Sequence, residues 1–143
     1  MIDYAQLVFE EPSTVLRPEK LYLATWLKVK VAVKYVRSLK DLDQDETNEL
    51  IGKIKHSMGL RHPNVILMMG YSIDKDSNLL SVFEYPTIGS LFDLVKAKNM
   101  ILEEDVHYRV TKSVAVVLSF FNKRKASHGN LSASNVYVSL ILR

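Results

Sequence analysis

Between residues 21 and 36 apolar and polar side chains alternate, and this period of two constrains the fold more than any other feature. Val29, Val31, Val33 and Tyr35 fall on one side, and Lys28, Lys30, Ala32 and Lys34 on the other. Successive residues of a strand point to opposite faces, so the stretch predicts strands whose apolar face needs a cover. A helix is predicted just downstream. Residues 38–47 are charged and offer Asp45 or Thr47 as N-cap, and Leu50, Ile51, Ile54 and Met58 then recur at helical spacing. Arg61-His62-Pro63-Asn64 breaks that helix. Residues 65–71 and 79–85 are short apolar runs joined by a turn at 74–78, which suits a β-hairpin. Gly89-Ser90 ends the strand region. Ser90 with Asp93 predicts a capping box opening a short helix, with Leu91, Leu94 and Val95 on one side. Val106, Val110, Val114, Val117, Leu118 and Phe121 predict a longer helix. Lys123-Arg124-Lys125 closes it, where cations suit the carboxyl end. A loop at His128-Gly129-Asn130 precedes a strand-like tail over 136–142, and residues 1–20 read as short strand or loop. Strands, helix, strands, helices is an α+β order.

Composition narrows the function classes. The 143 residues suit one domain or a piece of one, and 48% apolar with 24% charged residues excludes a disordered or fibrous chain. Without cysteine there are no disulfides, thiolate metal sites or cysteine nucleophiles, which fits a reducing compartment. The densest apolar stretch, residues 114–121, is far shorter than the ~20 residues of a membrane span. The N-terminus is acidic and lacks the long apolar run of a signal peptide. A soluble cytoplasmic protein is expected. The net charge of +3 comes from charges mixed along the chain, so no nucleic-acid partner is expected. His56, His62, His107 and His128 show no metal-ligand spacing; His62 reads as a turn cap and His128 as a packed loop residue. Lys123-Arg124-Lys125 reads as a solvated helix end, with a surface for an acidic partner as the sharper alternative. The apolar run Ser139-Leu140-Ile141-Leu142-Arg143 has nothing predicted to pack on it, so the domain reads as cut short. On that reading Val117, Phe121, Leu140 and Leu142 would be left exposed.

Four segments in order carry a resemblance. They are Val31-Ala32-Val33-Lys34 after Leu21-Tyr22-Leu23-Ala24-Thr25-Trp26; His62-Pro63-Asn64-Val65 followed by Met68-Met69-Gly70; Phe83-Glu84-Tyr85-Pro86-Thr87-Ile88-Gly89-Ser90-Leu91; and His128-Gly129-Asn130-Leu131-Ser132-Ala133-Ser134-Asn135-Val136. Together they resemble a protein kinase domain, most closely of the tyrosine-kinase-like branch. The resemblance runs from about Leu7 to Val138. It implies a kinase-like α+β fold in a single incomplete domain over 1–143. Residues 1–85 form its N-lobe, an antiparallel sheet with one helix; 86–90 form a hinge; 91–143 start a helical C-lobe. The His-Gly-Asn-Leu…Ser-Asn form is similar to catalytically dead kinase domains, such as the kinase-homology domain of receptor guanylate cyclases and the Janus pseudokinase domain.

Phosphoryl transfer needs a glycine-rich cover, a lysine held by a helix glutamate, two metal sites and a carboxylate base. The resemblance places the three glycine positions on Thr14, Leu16 and Glu19, and no glycine occurs before Gly52. Side chains there would block backbone approach, and Glu19 would repel phosphate. Lys34 takes the lysine position, or is an ordinary solvated strand lysine. The glutamate position falls on Lys53, which would repel Lys34; Glu49, one turn earlier, could substitute if the helix slid by ~5–6 Å. Asn130 takes the base position, and an amide cannot accept a proton near neutral pH. Ser132 replaces the loop lysine. Asn135 is retained and could face a metal, and the second metal carboxylate would lie beyond Arg143. Leu21 and Ala32 match the upper adenine wall, Tyr137 sits where an aliphatic residue packs below, and Phe83 is the gatekeeper. Glu84 to Pro86 would be the hinge, with no donor from Pro86.

The expectation is a catalytically inactive, kinase-like interaction or regulatory module with a protein partner and no cofactor. Its working surfaces would be the helix at 45–60 and the sheet edge near Tyr4 to Phe9. The alternative is an incomplete protein kinase that binds ATP and magnesium through Lys34, Asn135 and the Leu21, Ala32, Phe83, Glu84 and Pro86 frame. A third reading is a fragment with no activity of its own.

Overall fold

The alternating stretch forms two strands, β2 (Leu21–Trp26) and β3 (Val29–Ser38). The computed structural model describes residues 1–10, 21–97 and 101–138. Lys28 belongs to the turn rather than to a strand face. Leu27 and Lys28 take it at φ 48° and 68°, a left-handed path that glycine or asparagine usually supplies and that costs other residues ~1 kcal/mol each. With β1 (Leu7–Phe9), β4 (Met68–Ile73) and β5 (Asn78–Glu84) these strands make one antiparallel sheet of order β1-β2-β3-β5-β4. The hairpin strand β4 begins at Met68, not Val65. Leu67 instead donates its backbone N–H to the Glu84 carboxylate at 2.8 Å. In the β4–β5 turn the Asp74 carboxylate accepts the N–H groups of Asp76 and Asn78 at 2.9 and 2.8 Å.

The two faces of the sheet have different covers. Val31, Val33, Leu80, Val82 and Ala24 pack with Ile2 and Leu7 from the N-terminal segment. That segment crosses the face: Ile2 donates its N–H to Tyr71 O on β4 at 2.8 Å, and Leu7 pairs with Trp26 on β2. The Trp26 indole N–H also donates to Gln6 Oε1 at 3.1 Å. Gly70 makes this crossing possible, because a Cβ there would lie 2.8 Å from Ile2 Cδ1. The opposite face packs Leu79, Tyr71 and Met68 against Ile54 of α1 (Gln44–Met58), with Leu50, Ile51 and Met58 beside it.

The cap of α1 is Asp43, not Asp45 or Thr47. Its carboxylate accepts the Glu46 N–H at 2.8 Å, and the Glu46 carboxylate accepts the Asp43 N–H at 3.1 Å. Asp43-x-x-Glu46 satisfies two backbone donors reciprocally, which a cap at 45 or 47 could not do.

The described chain divides into two compact units, Met1–Arg61 with Ile66–Tyr85, and His62–Val65 with Pro86–Arg143. In the second, Gly89-Ser90 does not end the strand region but forms β6 (Gly89–Ser90), paired with β7 (Tyr137–Val138). Asp93 accepts from Ser90 N–H and Oγ and donates its own N–H to Ser90 Oγ, the expected capping box, and a wide helical turn runs over Asp93–Ala97. The long helix α2 spans Glu104–Lys123 and ends at the basic run. Val117 and Phe121 are buried, against the expectation that truncation exposes them. Exposed apolar residues of this unit instead include Tyr108, Val116 and Leu118 of α2, with Phe92, Val95, Ile101 and Leu131. Leu140 and Leu142 lie outside the described residues. Among these, no helix is long and apolar enough to cross a membrane.

Three substitutions test this packing. Gly52 is a mid-helix residue with nothing within 4 Å of an added Cβ, so Gly52→Ala should stabilise by about 0.5–1 kcal/mol. Ser72 Oγ is buried without a hydrogen bond, so Ser72→Ala should be neutral or stabilising. Gly70→Ala should destabilise by about 1–3 kcal/mol as Ile2 is pushed out. Denaturant midpoints at constant m-value check all three. A hydrophobic dye should also bind the chain, with at least twofold less fluorescence in Val116→Lys/Leu118→Glu at an unchanged midpoint.

Candidate functional site

The register of the first unit gathers part of the predicted site. Lys34 lies opposite Leu21 on β2 and Ser81 on β5, and Ala32 opposite Leu23 and Phe83. Alternation then sets Leu21, Ala32, Lys34 and Phe83 on one face, the face that α1 covers. Leu21 reaches solvent, whereas Ala32 has 0% exposure and Phe83 is half-buried against the Ile54 cluster. Glu84 donates its N–H to Leu67 O at 2.9 Å and takes the Leu67 N–H on its side chain. With that N–H committed and none on Pro86, neither residue can donate to an incoming heterocycle.

The readings for the partner of Lys34 are both corrected. Glu49 does not move toward Lys34, and Lys53 is not a bare charge facing it. The two pair with each other at 2.6 Å, one turn apart on the exposed surface of α1. The Lys53 ammonium, by hydrogen bond and by charge, holds the Glu49 carboxyl below its ordinary range. Among the described residues Lys34 makes no ion pair.

The second unit holds the loop of Asn130 and Asn135. Gly129 turns it at φ 74°. His128 Nδ1 accepts the Asn130 N–H at 3.3 Å, and Asn135 Nδ2 donates to Asn130 O at 2.9 Å. Both backbone groups of Asn130 are therefore engaged, and its exposed side chain presents an amide. Tyr137 pairs with Ser90 on β6, and burial together with the nearby Asp93 charge raises its hydroxyl above the usual tyrosine range. His62 caps its turn as expected, Nδ1 accepting the Asn64 N–H at 3.1 Å. His-Pro-Asn and His-Gly-Asn thus close in the same way. Their rings bracket one aromatic row: His62 on Phe120 at 4.8 Å, Phe120 on Phe121 at 5.7 Å, Phe121 on His128 at 6.0 Å. Arg124 lies over the Phe120 ring at 4.0 Å, so one cation of the basic run is packed rather than simply solvated. The repeated His-x-Asn spacing was the sequence signal for this row.

Magnesium sites use carboxylates and bound phosphates. Asn135 offers one neutral oxygen, Asn130 is an amide, and among the described residues no three His, Cys, Asp or Glu side chains gather as a metal site. These residues do not fit a magnesium nucleotide. Thr14, Leu16 and Glu19 lie outside the described residues.

A double-mutant cycle checks the lysine assignment. Glu49→Ala and Lys53→Ala should be non-additive at low salt and additive in molar salt, while Glu49→Ala and Lys34→Ala should be additive throughout.

The family described as protein tyrosine and serine/threonine kinase matches residues 19–141. A protein of Acanthamoeba polyphaga mimivirus, named as a serine/threonine-protein kinase/receptor, is 34% identical over 94 residues, covering 66% of this chain and 6% of its own length. One of Arabidopsis thaliana, named as a serine/threonine-protein kinase, is 30% identical over 125 residues, covering 83% of this chain and 12% of its own. The chain thus spans a small part of these relatives. Among solved structures, an apo pseudokinase aligns over 97% of this chain and 55% of its own with a TM-score of 0.80 at 21% identity, a likeness of fold.

Proposed function

The chain belongs to the protein tyrosine and serine/threonine kinase family, and from that premise we propose that it is a catalytically inactive member acting as a regulatory or protein-interaction module. Asn130 carries this reading. It stands at the base position in a closed loop, and an amide cannot take the proton of an attacking hydroxyl. Loss of a positioned base typically costs about 10²–10⁴-fold. Lys34, without an ion pair among the described residues, and the Glu49–Lys53 pair weaken a second, separate part of the same machinery. We assign the chain to the tyrosine-kinase-like branch on its Val-Ala-Val-Lys and His-Pro-Asn-Val segments. A cytoplasmic setting suits a chain without cysteine, and a protein partner would use α1 or the sheet edge at β1.

The alternative is an ATP-binding protein kinase. It draws on Lys34 and Asn135, which are both retained, and on the shared face of Leu21, Ala32, Lys34 and Phe83. Thermal unfolding separates the two. A ligand at 100 times its dissociation constant stabilises a fold by about 2.7 kcal/mol. Millimolar ATP and magnesium should leave the midpoint unchanged, with Lys34→Ala indistinguishable from the parent and no phosphate transfer detected. A clear shift that vanishes in Lys34→Ala would replace the inactive module by the ATP-binding kinase.

A further inference from the structure

The N-terminal segment is a strap attached at few points, and one of its residues faces fixed negative charge. Ile2 fits over Gly70 and bonds Tyr71, Asp3 caps the turn Tyr4–Gln6, and Leu7–Phe9 pair with β2. Between these attachments Tyr4 is half-buried, with its ring 5.9 Å from Phe9. It borders an open groove of about 520 Å³ lined by Asp3, Leu7, Ile73, Asp74 and Lys75. Burial and the charges of Asp74 and Asp76 already disfavour ionisation of the Tyr4 hydroxyl. The Asp74 carboxylate cannot swing away without breaking bonds from Asp76 N, Asn78 N and Asn78 Nδ2. Among the described residues Lys75 is the one cation lining this groove, against Asp3 and Asp74 there and Asp76 in the same turn.

We propose that Tyr4 is a charge-operated latch: phosphorylation of its Oη by a tyrosine kinase releases residues 1–9 from the sheet and uncovers the Val31, Val33, Leu80 and Val82 face. In that step the γ-phosphorus of ATP bonds Oη, its bond to the bridging oxygen breaks to give ADP, and the hydroxyl proton leaves to solvent. The product carries about two negative charges, which the turn repels and the apolar face cannot solvate. The latch does not depend on whether this chain itself transfers phosphate.

Two arms test it on the full chain. Incubation with a broad-specificity tyrosine kinase and ATP, mapped by mass spectrometry, should modify Tyr4; modification confined to more exposed tyrosines such as Tyr85 and Tyr108 would overturn the site. A semisynthetic chain carrying phosphotyrosine at position 4 should exchange the amide hydrogens of residues 2–9 at least fivefold faster than the unmodified chain, with α1 and β5 unchanged. The same phosphotyrosine in an Asp74→Asn/Asp76→Asn background should regain protection, and Tyr4→Phe should keep it. Less than fivefold faster exchange, or equal release in the neutral-turn background, overturns the latch.

Discussion

The central strand β3 is buried on both faces, and the rest of the first unit follows from that. Val31, Ala32 and Val33 are consecutive and each has 0% exposure. Consecutive residues point to opposite sides, so no single layer can cover them. On the Val31 and Val33 side the cover is the N-terminal strap, anchored by Ile2 and Leu7; on the other side α1 packs Ile54 against Leu79, Tyr71 and Met68, with Val36 beside them. A strap without a helix can serve only if it lies close to the sheet, and glycine at position 70 allows that approach. Lys34, next in the strand, lies on the α1 side of the sheet with no acidic partner among the described residues.

The first unit keeps the aligned frame of the candidate site. Strand register alone aligns Leu21, Ala32, Lys34 and Phe83, because the same register aligns the core. Catalysis asks for more than alignment: charges have to be arranged where a phosphoryl group moves. On α1 the available glutamate pairs with the nearest lysine of its own helix, and in the Asn130 loop the hydrogen bonds run within the loop. In both places the side chains are taken up by local bonds.

Much of the architecture was legible because it depends on periodicity. The alternation around Val31 and Val33, the α1 stripe at Leu50, Ile51, Ile54 and Met58, and the Ser90–Asp93 cap are short-range patterns, and each formed. The Asp43 cap was also local, but Asp45 and Thr47 satisfy the same single-residue preference, and only the reciprocal bond with Glu46 decides among them. The burial of Val117 and Phe121 was read wrongly because the stripe was assigned to a layer outside the chain. The His62–Phe120–Phe121–His128 row buries part of it.

The sequence by itself determined the order of the main strands and helices and the family, because those depend on residue type and spacing along the chain. Tertiary structure alone decided that Ile2 reaches Gly70, that Glu49 binds Lys53 rather than Lys34, that two His-x-Asn turns meet one pair of phenylalanines, and that Tyr4 faces the Asp74 turn. Apart from the Glu49–Lys53 pair, whose spacing of four is local to α1, each joins residues far apart in the chain, at distances that no local pattern encodes. The choice between competing bonds is made by packing, which brings some groups within reach and leaves others apart.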